Sequence, residues 1–117
     1  MKRTMLDAGP LVAYLSGRDR NHKWAVSQFA ALRPPLVTCE PVLAEACFLV
    51  RQNSGRPADV LKLLQRGIFQ IGLVVETDAC LVRLSELHAD CRVFTLDSDF
   101  NRYRRNGRQM IPLLAPW

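Results

Sequence analysis

Five of the eleven carboxylates in this 117-residue chain stand where a carboxylate is costly or chemically suggestive. Asp7 follows the short β-like run Thr4-Met5-Leu6 and precedes the small residues Ala8-Gly9-Pro10. Glu45 lies inside Val42–Val50, whose other residues are all apolar or small, and Asp78 opens a predicted helix. Asp97 and Asp99 flank Ser98 directly after Val93-Phe94-Thr95-Leu96. Each acid also has an ordinary structural use. Asp7 can cap a helix, and Glu45 can pair with an arginine or share a solvated stripe with Gln52. Asp78 can answer a helix dipole, and Asp97 and Asp99 can shape a polar turn. Taken together, acids at two strand ends, one helix start and one helix interior can converge on one crevice. Carboxylates gathered there repel one another unless a cation neutralises them, and oxygen-only ligands select a hard ion such as Mg²⁺ or Mn²⁺. Such an ion polarises a phosphoryl oxygen and acidifies a bound water, which is the chemistry of phosphodiester hydrolysis.

Competing chemistries are poorly represented. There is no Ser/His/Asp or Cys/His pairing, no Gly-rich phosphate loop and no dinucleotide fingerprint. Asp7-Ala8-Gly9 lacks the second aspartate, two residues on, that an aspartyl-phosphate phosphatase would use. Cys39, Cys47, Cys80 and Cys91 form no C-x-x-C pair, and His22 and His88 sit at no zinc spacing, so all four cysteines are expected as reduced, small core residues.

The net charge of +5 comes from three lysines and thirteen arginines, a balance that favours a phosphate-rich partner. Arg102, Arg104, Arg105 and Arg108, interleaved with Phe100 and Tyr103, follow the last acids immediately. They are expected in a loop or short helix where guanidinium groups hold RNA phosphates and rings stack on unpaired bases. A solvated basic face is the plainer alternative. Arg18, Arg20 and Lys23 would extend the same footprint.

The elements that must position these residues alternate between strand and helix. Strands are expected at Thr4–Leu6, Leu36–Thr38, Ile68–Val75, Val93–Leu96 and Met110–Leu114, the last at a sheet edge because it contains Pro112. Helices are expected from Gly9-Pro10, over His22–Leu32, from Glu40 to before Asn53, from Pro57 to a cap at Gly67, and from Asp78 to His88. Alternation of this kind describes a single α/β domain over residues 1–117, three layers α/β/α around a mostly parallel sheet. Ligands of such sheets bind beyond the carboxyl ends of the strands, where the strand order reverses. No apolar run reaches the roughly 18 residues of a membrane span, and Asp7 interrupts any secretory core, so a cytoplasmic protein without membrane association is expected.

In order along the chain, Leu6-Asp7-Ala8-Gly9-Pro10-Leu11-Val12-Ala13, Thr38-Cys39-Glu40-Pro41-Val42-Leu43-Ala44-Glu45, Asp78-Ala79-Cys80-Leu81-Val82 and Val93-Phe94-Thr95-Leu96-Asp97-Ser98-Asp99-Phe100 resemble the four acidic blocks of the PIN-domain nucleases, in particular the VapC-type toxins of bacterial toxin–antitoxin pairs. The resemblance implies an Mg²⁺-dependent endoribonuclease that pairs with a cognate antitoxin and forms homodimers. By position, Asp7, Glu45, Asp78 and Asp97 would be its catalytic and metal-holding quartet, with Asp99 beside them. The chain departs from the family pattern between the third strand and the third acid, where an additional helix and loop are missing. A helix from Asp78 to His88, about 16 Å long at 1.5 Å per residue, must then cross strands about 4.8 Å apart. A shortened, catalytically weak module that holds RNA or an antitoxin is the alternative.

Overall fold

In the computed structural model, residues 3–73, 91–98, 104–105 and 109–117 are described, together with Val82, Glu86 and Arg102. The elements in chain order are β1 (Arg3–Leu6), α1 (Ala8–Leu15), α2 (His22–Ala31), β2 (Leu36–Cys39), α3 (Glu40–Gln52), α4 (Pro57–Gln65) and β3 (Phe69–Leu73). They continue with β4 (Cys91–Phe94), β5 (Arg104–Arg105), β6 (Gln109–Met110) and β7 (Leu113–Leu114). Five strands form one sheet in the order β3-β2-β1-β4-β7, and every neighbouring pair is parallel. The fold is α/β, as the alternation of elements predicts. The expected helix at 78–88 lies outside the described residues except for Val82 and Glu86, which are helical.

Helices join β1 to β2 and β2 to β3, as parallel pairing requires, and the strands are buried as such strands must be. Met5, Leu6, Val93, Phe94 and Phe69 are fully buried. Aromatic side chains of α1 and α2 close over β4. Trp24 meets Phe94 edge-on at 5.4 Å, Phe29 lies 5.2 Å from Phe94, and Tyr14 lies 4.7 Å from Phe29. His22 Nδ1 stands 2.7 Å from the Ala13 carbonyl, tying the start of α2 to α1.

The last strand differs from expectation. Residues expected as one strand over Met110–Leu114 divide, with Gln109–Met110 pairing antiparallel to Arg104–Arg105 and only Leu113–Leu114 joining the sheet. Pro112 is the reason. It has no N–H to donate, but its carbonyl accepts from Val93 N at 2.8 Å, so β7 fits only at an edge. The arginine-rich segment therefore contributes a strand of a two-stranded ribbon rather than a loop or helix, at Arg104–Arg105.

A correction concerns the cysteines. Cys47 and Cys91 are free, but Cys39 is disulfide-bonded, contrary to the expectation of four thiols. Cys39 ends β2 at the carboxyl edge of the sheet, where segments remote in sequence meet. Spacing along the chain carries no information about such a pairing.

Helix α4 ends as the sequence predicts. Gly67 adopts φ +75°, its N–H donates to the Leu64 carbonyl at 3.1 Å, and Ile68 N–H donates to the Leu63 carbonyl at 3.1 Å. This left-handed closure directs the chain into β3, and a side chain at Gly67 meets backbone strain although nothing lies nearby to clash. Gly67→Ala is expected to lower stability by about 1 kcal/mol, read as a lower urea midpoint at unchanged slope.

Candidate active site

The order β3-β2-β1-β4-β7 reverses direction between β1 and β4. The chain steps outward from β1 through β2 to β3, then returns to the other side of β1. That reversal opens a crevice beyond the carboxyl ends of β1 and β4. Asp7 is the first residue after β1, and Asp97 lies three residues beyond the end of β4. Both stand beyond the carboxyl ends of these neighbouring strands.

The backbone extends the pairing to the site itself. Asp7 N–H donates to the Phe94 carbonyl at 3.0 Å, one step beyond the Leu6–Phe94 register. On the other side of β1, the buried Thr38 hydroxyl donates to the Leu6 carbonyl at 2.8 Å. These bonds fix the exit of β1 from both neighbours.

Asp7 also takes the ordinary role open to it, as N-cap of α1. Its Oδ1 accepts from Ala8 N–H at 2.9 Å. Its Oδ2 accepts from the Thr95 hydroxyl at 2.6 Å, and the Thr95 oxygen in turn accepts Asp97 N–H at 2.9 Å. Thr95 is fully buried, and its own N–H donates to the Leu114 carbonyl at 3.0 Å. One hydroxyl thus joins the two acids. The acidic pattern alone does not mark Thr95, but a hydroxyl residue two positions before an acid at a strand end is a common local turn-bonding pattern.

Small side chains allow the close approach. A Cβ added to Gly9 would lie 3.1 Å from Leu96 Cβ, so the first turn of α1 sits against the segment carrying Asp97.

Asp7 is partly exposed at the crevice but desolvated on most sides. Burial pushes its carboxyl above the ordinary value of 3.8, the bonds from Thr95 and Ala8 oppose the rise, and the charge of Asp97 adds to it. Asp97 itself is exposed. The charge of Asp97 beside the desolvated Asp7 is a concentration of negative charge that a bound cation would relieve. Oxygen donors of this kind fit Mg²⁺ or Mn²⁺. Among the described residues, no group of three or more His, Cys, Asp and Glu side chains is gathered closely enough to hold a metal. Asp78 and Asp99 lie outside the described residues.

Glu45 corrects one expectation. Its apolar sequence neighbours suggested burial, yet it is exposed on α3. Helical period explains the difference, since Val42, Ala46 and Val50 form the buried stripe and Glu45 falls between its members on the outward side. Burial does not force a cation on Glu45. Among the basic residues, Arg102 is exposed, the backbone of Arg104 and Arg105 forms β5, and Arg108 lies outside the described residues. Arg18, Arg20 and Lys23 are exposed, and Arg18 lines a cleft of about 450 Å³ between the α1–α2 loop and the end of α3.

No model of a known protein family matches the chain, and no curated protein is detectably similar to it in sequence.

Two outcomes test the geometry. Because folding raises the pKa of Asp7, the folded state holds that proton more tightly, and its contribution to stability is complete below the ordinary value and lost as pH rises through the raised one. In EDTA, the stability of Asp7→Asn relative to the parent protein should therefore rise as the pH is raised above the ordinary value of 3.8, as read from urea midpoints. Thr95→Val removes the donor to Asp7 and the acceptor for Asp97 N–H. It should cost about 1–3 kcal/mol in the same assay, whereas Thr95→Ser should recover most of the loss.

Proposed function

We propose that the chain is a metal-dependent endoribonuclease of PIN-domain type, similar to the VapC toxins, acting on RNA in partnership with a cognate antitoxin. The observation that carries this reading is the placement of Asp7 and Asp97 on either side of the strand-order reversal, coupled electrostatically and through Thr95. In this reading Asp7, Glu45, Asp78 and Asp97 hold the ion, with Asp99 as neighbour, and Arg102, Arg104, Arg105 and Arg108 hold the RNA backbone. A divalent ion bound there supplies Lewis-acid polarisation and a water of lowered pKa. The protein's own part is positional. Thr95 keeps Asp7 and Asp97 at fixed separation, the N-terminus of α1 favours the ionised form of Asp7, and the buried strand ends limit reorganisation. Phe48 on α3 and Leu61 on α4 are large exposed apolar side chains, and they support an antitoxin or a second copy of the chain as partner. Among the described residues no helix is long and apolar enough to cross a membrane.

A second reading has one specific observation in its favour. Only two carboxylates are brought together among the described residues, which suits a module that holds RNA or an antitoxin with little turnover. The two readings separate in a single experiment. Purified protein incubated with single-stranded RNA should cleave it in Mg²⁺ or Mn²⁺ and stop in EDTA, and Asp7→Asn should lower the rate at least a hundredfold at unchanged circular dichroism. RNA binding that is indifferent to metal, with no cleavage, would establish the weak-module reading instead.

A further inference from the structure

Cys39 is disulfide-bonded and fully buried, whereas Cys47 and Cys91 are thiols. A sulfur enclosed by its own chain does not reach a second copy, so the partner of Cys39 belongs to the same chain. The chain has four cysteines, which leaves Cys80. Cys80 lies outside the described residues, two positions after Asp78.

Cys39 is the last residue of β2 and the N-cap of α3. It follows Thr38, whose hydroxyl donates to the Leu6 carbonyl, and Asp7 follows Leu6. Cys39 therefore stands at the carboxyl end of the sheet, one strand from Asp7. On its other side Cys39 pairs with Leu73 of β3, and the register shifts between Thr38 and Cys39, an irregularity of the kind that re-aims a side chain at the rim of a sheet.

We propose that Cys39 is bonded to Cys80 and that this bond is a redox-sensitive tether, holding the segment that carries Asp78 against the carboxyl end of β2. Cys80 is seven residues beyond Leu73, a stretch that reaches about 25 Å when extended at about 3.6 Å per residue. A disulfide instead keeps its two Cα atoms about 4.4–6.8 Å apart, so the chain that leaves the sheet beside Cys39 is returned to it, with Asp78 inside the loop so closed. The chain must also travel from β3 past β2 and β1 to β4, and the bond fastens this crossing to the first strand on its way. A dithiol opens the bond by exchange through a mixed disulfide, giving up two electrons and two protons to the two sulfurs and becoming a disulfide itself. A disulfide oxidant such as oxidised glutathione closes the bond by the reverse exchange and leaves as two thiols. Reduction frees Asp78 from this constraint. The pairing stands on the cysteines alone, whereas its effect on turnover rests on the nuclease reading.

Peptide mapping after alkylation in denaturant tests the pairing, on full-length protein equilibrated with oxidised glutathione. Alkylation of Cys47 and Cys91 and one linked peptide pair containing Cys39 and Cys80 are expected, with all four cysteines alkylated after dithiothreitol. Four alkylated cysteines without reductant, or Cys39 linked to any other thiol, overturn the proposal. Amide hydrogen exchange and cleavage of single-stranded RNA in Mg²⁺ then compare the oxidised and reduced forms of the parent protein. Peptides covering residues 76–82 should exchange at least tenfold faster after reduction, and cleavage should fall at least tenfold and return on reoxidation. In Cys80→Ser both readouts should match the reduced protein and be indifferent to dithiothreitol. Faster exchange after reduction with no cleavage by either form supports the tether and refutes the nuclease reading. Equal exchange in the two forms, or equal cleavage by an active protein, overturns the proposal.

Discussion

The candidate site depends on a single buried hydroxyl. Thr95 gives its one hydrogen to Asp7 and accepts the backbone N–H of Asp97, so the two acids are positioned by a residue with no acid–base chemistry of its own. Its burial matters because water cannot replace either bond, and an unpaired polar atom in that place costs more than the bond contributes. The Thr95 backbone is held in turn by the edge strand through Leu114, and Asp7 by β4 through Phe94. Segments of three strands therefore meet around Thr95, and a shift in any of them moves an acid.

Asp7 sits under opposing forces whose balance is informative. The start of α1 and two hydrogen bonds favour its ionised form, while desolvation and the neighbouring Asp97 disfavour it, and the latter prevail. A carboxyl whose role is only to cap a helix gains from being solvent-facing and ionised. Here the cap is made, yet the second oxygen is turned away from bulk water and accepts from the fully buried Thr95 hydroxyl. A cation bound beside Asp7 would favour its ionised form, so metal affinity and acidity are linked at this residue. Exposed Asp97 adds charge at the mouth without a comparable desolvation cost.

Much of the fold was legible because local and tertiary signals agree. Pro57, Gly67 and the Asn53-Ser54-Gly55 break punctuate helices where periodicity ends, and the structure follows them. Gly55 is required there by proximity, since a Cβ would lie 2.8 Å from Val50 Cγ1, while Ser54 takes the positive φ. Asp7 and Asp97 were legible because strand ends can be read from apolar runs. Glu45 was misread on burial because composition alone ignores helical phase, and the outward position between Val42 and Ala46 follows only once the stripe is assigned. Thr95 and the bonded state of Cys39 were not legible, since both depend on which strand ends become neighbours.

Parallel strands sort their residues by position, first residues to one end of the sheet and last residues to the other. Arg3 and Asp7 bracket β1, and Arg92 and Asp97 bracket β4, so each strand carries a base at its start and an acid just past its end. The four steps of extended chain from Arg3 to Asp7 span about 13 Å at about 3.3 Å per residue, beyond the screening length of about 8 Å at physiological salt. Charges that would neutralise one another in a flexible chain are thereby kept apart by the rigidity of the strands. The sheet thereby carries basic residues toward the amino ends of β1 and β4 and acidic residues beyond their carboxyl ends.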